Sequence, residues 1–322
     1  EELFFLQLLN ERRKIKNNNR KSYKINFFEK ETKRFIQDLG FELTNKQKKV
    51  AWQILKDLEN NIPANRLLEG DVGSGKTVVF LMSVLNVFLS GHNSAIMVPT
   101  SILATQHYRK ICNLFLNKDY IKNINIALLS GADCLLNNEK ITKKKLQEKI
   151  ENNEINILIG THAILQSGVQ MDNLGFVVID EQHRFGVKQR HILTHENINK
   201  DKNIYPHFLS VTATPIPRTL ALAFYGDLDL SILDEKPLNR KPIKTSIVNE
   251  LKNVYNFLLS ELKLKKQIYI ICPLIEENEE ESGFDLEIKS AKSVFEHFTK
   301  LKQFEKYKIE LLHGKLKATE KN

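Results

Sequence analysis

Short apolar runs rich in β-branched residues alternate along the chain with longer segments whose apolar positions recur every three to four residues. We predict strands over five of the short runs and helices over two of the longer segments. The strands are 94–98, 126–129, 155–159, 176–179 and 208–211, and the helices are 76–89 and 102–115. Strands that alternate with helices of this length favour a parallel sheet with helices on both faces. The pattern therefore predicts an α/β fold.

One break in this pattern divides the chain. Residues 234–242, DEKPLNRKP, contain two prolines and no periodicity, which is typical of a linker. We therefore expect a helical linker segment over 1–40, a first lobe over 41–233, and an incomplete second lobe over 234–322 in which the alternation restarts. The elements predicted there are strands at 245–248, 267–272 and 309–312 and helices at 251–262 and before Lys300.

Composition narrows the class of protein. With 42% hydrophobic residues the chain is too apolar to remain disordered, and its apolar stretch 3–9 is far shorter than the ~20 residues that cross a bilayer. Three cysteines, none in a CxxC spacing, argue against a disulfide scaffold or a cysteine-rich zinc site and favour the cytoplasm. The net charge of +9 is compatible with binding to a phosphate backbone.

The strongest chemical signal is GDVGSGKT at residues 70–77, which precedes a predicted helix and matches GxxxxGK[ST] in full. Its loop allows backbone N–H groups to close around phosphate oxygens at the start of the helix. The loop residues are Gly70, Gly73, Ser74 and Gly75. Lys76 would reach the β and γ phosphates, and the Thr77 hydroxyl would bind Mg²⁺. The alternative, a glycine-rich turn that happens to precede a lysine, does not explain the full match.

A second signal is the apolar strand of FVVIDEQH, which ends in two carboxylates. Asp180 would hold the Mg²⁺ shell, and Glu181 would orient the water that attacks the phosphate. We predict that His183 contacts the γ-phosphate or another motif, because no second His or Cys lies at metal-ligand spacing. Taken alone, a strand that ends in acidic residues is equally consistent with the start of a loop. Together with the phosphate-binding loop at residues 70–77, the P-loop, it predicts a nucleotide-hydrolysing site.

The hydroxyl-rich segment SVTATP lies at the end of another predicted strand. Thr212 and Thr214 there could couple the state of the nucleotide to a neighbouring segment. Taken alone, the segment is only a turn-forming strand end.

These motifs together resemble superfamily 2 helicases and, more narrowly, the RecG family of branch-migration DNA helicases. The resemblance extends from about residue 41 to the last residue, and DEQHRFGV is its most specific block. The other segments that carry it are VPTSILATQH, IGTHAILQ, TATPIPRTLAL, RKPIKT, IYIICPLIEE and LLHGKLKATEK. The transcription-repair coupling factor and the primosomal helicase share the P-loop style but usually differ at DEQH.

The resemblance implies a P-loop RecA-like parallel sheet with helices on both faces, followed by part of a second RecA-like lobe. It also implies roles for particular residues. Phe41 and Gln47 match the segment that recognises adenine in the family, and the less favoured alternative is that Gln47 is an exposed residue behind a helix N-cap at Thr44. The segments that track a DNA strand contribute Thr100, Gln106 and Thr161.

The function implied is that of a monomeric, ATP- and Mg²⁺-dependent DNA helicase or translocase that remodels branched DNA in recombination and repair, without membrane association. Its substrates would be replication forks and Holliday junctions. The family's N-terminal wedge domain and late motifs have no counterpart in the chain, so we expect a fragment of such an enzyme. Two alternatives stay open: a non-catalytic nucleotide- or DNA-binding module, and a related translocase of the transcription-repair coupling type. The intact set of Lys76, Asp180 and Glu181 favours an enzyme.

The distribution of arginine predicts that the 322-residue chain hydrolyses ATP only weakly by itself. No arginine follows Arg240, and similar helicases place an arginine from the second lobe against the γ-phosphate. Lysine is a poor substitute because it lacks the planar fork that grips two phosphate oxygens. Arg218 is the other late candidate, but it belongs to the first lobe. Steady-state ATPase with and without forked DNA checks this, and turnover near about one per second would contradict it.

Overall fold

The structure is a computed structural model that describes residues 2–131, 133–161, 164, 171–181, 204–214, 228–235, 243–248, 254–275 and 290–316. The chain divides into two compact units, Glu1–Arg240 and Lys241–Asn322. The division falls inside the segment 234–242, and residues 1–40 belong to the first unit together with the P-loop.

The first unit is built on a sheet that has nine strands within the described residues, in the order β5-β4-β3-β6-β2-β7-β8-β1-β9. The strands are β1 Asn65–Gly70, β2 Asn93–Met97, β3 Ile126–Leu129, β4 Cys134–Leu136, β5 Glu139–Lys140, β6 Ile157–Gly160, β7 Leu174–Asp180, β8 His207–Thr212 and β9 Asp229–Leu233. All neighbours from β3 to β9 in this order are parallel. At the opposite edge, β3, β4 and β5 pair in antiparallel fashion. The predicted parallel sheet is confirmed.

Six helices accompany this sheet in the described part of the first unit. They are α1 Glu2–Asn18, α2 Glu29–Asp38, α3 Asn45–Leu58, α4 Lys76–Leu89, α5 Ser101–Phe115 and α6 Lys143–Glu151. Helix α4 has the predicted bounds, and α5 begins one residue before the predicted start because the Thr100 side chain caps it by accepting from the Leu103 N–H.

Two apolar layers cover the two faces of the sheet, because successive strand residues point to opposite sides. Leu68 and Ile96 belong to a core that includes residues of α3, α4 and α5. Their neighbours Leu67 and Ala95 belong to a second core that includes residues of α6. Helices therefore lie on both faces, as the alternating pattern predicted.

Helix α4 is the most deeply buried helix of the described residues, with every side chain from Val78 to Val87 buried. Its sequence is apolar on all sides, which is typical of a helix enclosed by other elements. The polar Asn86 is satisfied there, since its oxygen accepts from the Phe28 N–H and its amide donates to the Thr32 hydroxyl and the Met82 carbonyl. These bonds hold the start of α2 against α4.

In the second unit the described helices are α7 Tyr255–Lys263 and α8 Ala291–Lys300, followed by a short 3-10 helix, Lys302–Phe304. Val294, Phe298 and Phe304 form its small core. The predicted helix 251–262 overlaps α7, and its first three residues, 251–253, lie outside the described residues. No described helix in either unit is both long and apolar enough to cross a membrane.

The strands predicted at 245–248, 267–272 and 309–312 are wrong. Each segment lies within the described residues, and none is in a strand. A strand exists only when a neighbour completes its hydrogen-bond ladder, and no described residue of the second unit supplies one. Tyr269 and Ile271 remain 82% and 91% exposed, so these two side chains of the apolar run that suggested a strand are not buried.

A buried histidine connects the sheet to the chain that follows α1. The Ala64 N–H donates to Nδ1 of His207 at 3.0 Å, so Nε2 carries the proton and donates to the Tyr23 carbonyl at 2.7 Å. Burial lowers the pKa of His207 to about 4, because a charged ring would lose its hydration and its Nδ1 acceptor.

This pKa predicts a loss of stability in mild acid. Since the folded pKa lies below the ~6.5 of an unfolded histidine, the unfolded chain binds more protons between these two pH values. The free energy of unfolding should therefore fall as the pH falls from about 6.5 to about 4, by up to ~3 kcal/mol. Urea denaturation at a series of pH values gives the free energy of unfolding of wild type and of His207→Gln. The contribution of His207 is the difference between the two proteins in the slope of this free energy against pH.

The substitution His207→Gln should lower the free energy of unfolding at neutral pH. It should also make this free energy less dependent on pH between about 4 and 6.5. The matched control is His297→Gln, which replaces an exposed histidine of the second unit. Equal slopes for wild type and His207→Gln would show that His207 does not titrate as described.

Candidate active site

Three parallel strands bring the predicted chemical groups to one edge of the sheet. Asp180 at the end of β7 pairs with Val211 of β8, and Val211 pairs with Leu68 of β1. The carboxyl ends of the three strands are therefore level, with the P-loop directly after β1. Ligands of open α/β sheets bind at this edge.

The P-loop connects β1 to α4 through glycines that adopt left-handed backbone conformations. Gly73 has φ +78° and Gly75 has φ +89°, values that side chains disfavour. A Cβ on Gly75 would also collide with the side-chain amide nitrogen of Gln47. Both the conformation and the space at this position therefore require glycine, and the loop can approach a ligand with its backbone.

Lys76 lies at the first turn of α4 with its ammonium held by the loop itself. Its Nζ donates to the carbonyls of Gly70 at 2.6 Å and Asp71 at 2.9 Å. Burial lowers the pKa of Lys76, while the nearby charges of Asp180, Glu181 and Asp71 act in the opposite direction. The predicted phosphate-binding lysine and the predicted acidic pair thus interact electrostatically, as a nucleotide site requires.

Ser74 supplies a test of whether this loop fits a phosphate. The residue is 2% exposed, and its buried hydroxyl has no hydrogen-bond partner among the described residues. A buried hydroxyl without a partner costs about 1–3 kcal/mol, and a bound ligand or water is one of the explanations for such a group in a native protein. The loop therefore fits a phosphate-bearing nucleotide, with Thr77 and Asp180 as the oxygen ligands available for Mg²⁺.

The acidic pair has two features that the sequence did not reveal. Glu181 has φ +56°, an unusual value for a residue with a long side chain, and its N–H donates to the Val211 carbonyl at 2.8 Å. Strained backbone of this kind is concentrated at functional sites. The second feature is His107 of α5, whose Nε2 lies 3.1 Å from Oδ2 of Asp180.

Gln47 of α3 stabilises the P-loop by a hydrogen bond to its backbone. It forms a capping box with Thr44: the Thr44 N–H donates to Oε1 of Gln47 at 2.9 Å, and the Gln47 N–H donates to the Thr44 hydroxyl at 3.2 Å. Its amide nitrogen donates to the Ser74 carbonyl at 2.7 Å. Thr44 is thus the N-cap, but Gln47 is buried, which contradicts the alternative of an exposed glutamine.

The adenine role of Gln47 and Phe41 stays a prediction. Phe41 is 52% exposed and lies just before the cap of α3, where its ring is accessible to a flat ligand. The side-chain amide of Gln47 is already engaged by the loop and the cap.

Two of the residues predicted to contact DNA, Thr100 and Thr161, follow the ends of the neighbouring strands β2 and β6, and the third, Gln106, lies within α5. The Val98 N–H donates to the Gly160 carbonyl at 2.9 Å, so the segments after these two strands begin side by side. Thr100 caps α5, Gln106 is exposed on the same helix, and Thr161 is buried. Thr100 and Gln106 are both exposed, so these two side chains are accessible to a DNA strand, whereas Thr161 is not.

The predicted coupling residues contact each other at the end of β8. The hydroxyls of Thr212 and Thr214 lie 2.9 Å apart, and the Thr214 N–H donates to the Thr212 hydroxyl at 3.2 Å. This compact turn follows the strand that separates β1 from β7, so it lies between the P-loop strand and the acidic strand. His183 and Arg218 lie outside the described residues.

Comparison with known proteins shows which families share this arrangement. The family model for DEAD/DEAH box helicases matches residues 44–223. That range includes the capping box, the P-loop, the acidic pair and the threonine turn.

Relatives named ATP-dependent DNA helicase RecG are similar over almost the whole chain. The protein from Aquifex aeolicus is 44% identical over 321 residues, which are 99% of this chain and 38% of the relative. The protein from Thermotoga maritima is 42% identical over 100% of this chain and 39% of its own length. A solved structure of RecG bound to a three-way DNA junction has 38% identity and a TM-score of 0.74, covering 93% of this chain and 37% of that one.

These comparisons confirm the resemblance to the RecG family and the RecA-like parallel sheet that it implied. They also show that the chain spans about two fifths of the length of the relatives, between 37% and 39%.

The P-loop geometry predicts that Lys76→Ala weakens nucleotide binding without unfolding the chain. The ammonium is the one cation described within the loop, and its removal deletes a charge that would meet the β and γ phosphates. We expect affinity for ATP to fall at least about tenfold, or ~1.4 kcal/mol, in titration calorimetry. The control is Lys145→Ala, which removes an exposed lysine of α6 and should leave ATP affinity unchanged. An unchanged ATP affinity for Lys76→Ala, with normal circular dichroism, would contradict the assignment of Lys76 to phosphate binding.

Proposed function

Since the chain belongs to the DEAD/DEAH box helicase family, we propose that it forms the ATP-binding part of a DNA helicase or translocase that remodels branched DNA in recombination and repair. Replication forks and Holliday junctions are the substrates that this proposal names. The observation that carries it is the convergence of the P-loop, Lys76 and the Asp180–Glu181 pair at one sheet edge. The similarity to RecG proteins supports branched DNA as the substrate.

ATP would bind with its phosphates in the P-loop, where backbone N–H groups and the start of α4 favour negative charge. Lys76 would leave the carbonyls of Gly70 and Asp71 to contact the β and γ phosphates, because an anionic oxygen is a stronger acceptor than a carbonyl. The Ser74 hydroxyl, which lacks a described partner, would gain one. Phe41 would lie against the adenine ring.

Thr77 and Asp180 would hold Mg²⁺ between the first turn of α4 and the end of β7. When bound, the ion would neutralise charge on the phosphates during transfer to water. The left-handed backbone at Glu181 directs the chain away from the strand direction directly after Asp180. Adjacent residues can thereby serve different roles, with Asp180 beside the metal and Glu181 oriented towards the attacking water.

DNA would contact the segments that follow β2 and β6, at the same sheet edge as the nucleotide. Hydroxyl and amide groups there suit phosphates, which carry no sequence information, so recognition would depend on the shape of the junction. Gln106 is exposed for this contact, whereas Thr161 would need a local rearrangement to reach a phosphate. The Thr212–Thr214 turn would pass changes at the nucleotide to neighbouring segments.

The proposal predicts that Glu181→Gln separates binding from chemistry. The amide has nearly the same shape but cannot polarise water as a carboxylate does, while Asp180 still holds the metal. In the full-length protein, ATP should bind with unchanged affinity while turnover with forked DNA falls roughly 10²-fold or more. The matched control is Glu151→Gln at the exposed end of α6, which should keep normal turnover.

This experiment pairs filter or calorimetric binding with steady-state ATPase. Near wild-type turnover for Glu181→Gln would remove Glu181 from the water-orienting role, and failure of the wild-type protein to respond to branched DNA would contradict the proposed function.

A further inference from the structure

One side chain connects the helix proposed to contact DNA with the carboxylate proposed to hold Mg²⁺. His107 lies two turns into α5, after the cap at Thr100. Its Nε2 is 3.1 Å from Oδ2 of Asp180, and the two side chains are only 11% and 15% exposed. A hydrogen bond in such a sheltered place is stronger than one at the surface, because little water competes for it.

The chemistry of the pair assigns the donor. A carboxylate only accepts hydrogen bonds, so Nε2 of His107 carries the proton and donates to Asp180. Because the bond uses Oδ2, the other oxygen, Oδ1, would be the one available to the shell of a bound Mg²⁺. Outer hydrogen bonds of this kind fix the rotamer of a metal-binding carboxylate.

The rest of the imidazole has few other polar contacts. Nδ1 is buried, and no described residue hydrogen-bonds to it. The ring is tilted against Phe80 of α4, with the ring centroids 6.2 Å apart. Apolar packing thus sets the position of the ring, and the bond to Asp180 is its one hydrogen bond among the described residues. A buried polar atom without a partner lowers the stability of the fold. Packing alone therefore does not account for a histidine at this position, where an apolar side chain would avoid that cost.

We propose that His107 is a positioning residue for the magnesium site: it holds the Asp180 carboxylate in the orientation that binds Mg²⁺ with the nucleotide. The inference rests on the proposed function, since it assumes that Asp180 serves a nucleotide-bound metal. It goes further by assigning a role to a side chain of α5 that reaches the site from a different part of the chain. Because Thr100 caps the helix that carries His107, the same element connects the proposed DNA segment with the carboxylate proposed to hold the metal.

Two amide substitutions separate this role from simple packing. In His107→Gln the amide nitrogen reaches the position of Nε2 and can donate to Asp180. In His107→Asn the side chain is one carbon shorter and reaches only the position of Nδ1, so the donor to Asp180 is lost. The two variants introduce the same functional group and differ in reach.

The first measurement is binding of a fluorescent ATP analogue to the 322-residue chain, with a chelator and over a series of Mg²⁺ concentrations. His107→Asn should bind the analogue normally in chelator but need about 10- to 100-fold more Mg²⁺ for the metal-dependent increase in affinity, the usual effect of losing an outer hydrogen bond at a metal site. His107→Gln should stay close to wild type. The second measurement is the Mg²⁺ dependence of ATPase in the full-length protein, where the same order is expected.

Several outcomes would overturn the inference. It fails if His107→Asn keeps the wild-type Mg²⁺ dependence, or if Gln and Asn impair the site equally, which would assign His107 to packing. Thermal melts of both variants exclude a general loss of folding as the cause. If wild type itself shows no metal-dependent nucleotide binding, the proposed function fails, and this result is distinct from a difference between the two variants.

Discussion

Parallel pairing between β1, β8 and β7 is the constraint on which the rest of the first unit depends. Parallel strands all end at the same edge, so residues far apart along the chain meet there without any contact between their local sequences. The register makes the end of β7 level with the end of β1 through Val211. A shift of the register by one residue would reverse which face each side chain occupies. It would also move Asp180 out of line with the P-loop.

Burial of α4 fixes the position of the P-loop, which lies between β1 and α4 at this edge of the sheet. The helix begins at Lys76 directly after the loop, and its ten residues from Val78 to Val87 are enclosed by the sheet, α2 and α3. A helix packed on all sides cannot shift without opening cavities, which are costly in a dense core. Gln47 adds a brace from α3 to the Ser74 carbonyl. The P-loop is therefore held by two packed helices, α3 and α4, although its own backbone is rich in glycine.

The parts that could be predicted from the sequence are those with a local cause. The P-loop, α4 and the strand that ends at Asp180 each have a pattern that acts over a few neighbouring residues. The capping box also had such a signal, since Thr44 and Gln47 have the spacing of that motif, but the burial of Gln47 depends on where the P-loop packs. His107 had no local signal, because its contact with Asp180 arises only when α5 lies beside the end of β7.

The second unit shows the converse limit. Its apolar segments have the composition of strands, yet a strand also needs a neighbour, and composition does not state whether one is supplied. The left-handed conformation of Glu181 is a further feature that local preference argues against. In both cases tertiary context decides the outcome. It leaves segments that favour strands without strand structure, and it holds Glu181 in a backbone conformation that its residue type disfavours.

The segment around Tyr269 and Ile271, which pairs with no described strand, has a consequence for how the chain behaves at high concentration. The run QIYIIC is rich in β-forming residues and carries no charge, and two of its side chains are more than four fifths exposed. Such a run is a ready template for backbone pairing with the same run of another molecule. Two lysines directly before the run, at 265 and 266, act as gatekeepers, because their repulsion opposes the parallel stacking of identical segments. Self-association of the chain should therefore increase with ionic strength, as salt screens these charges.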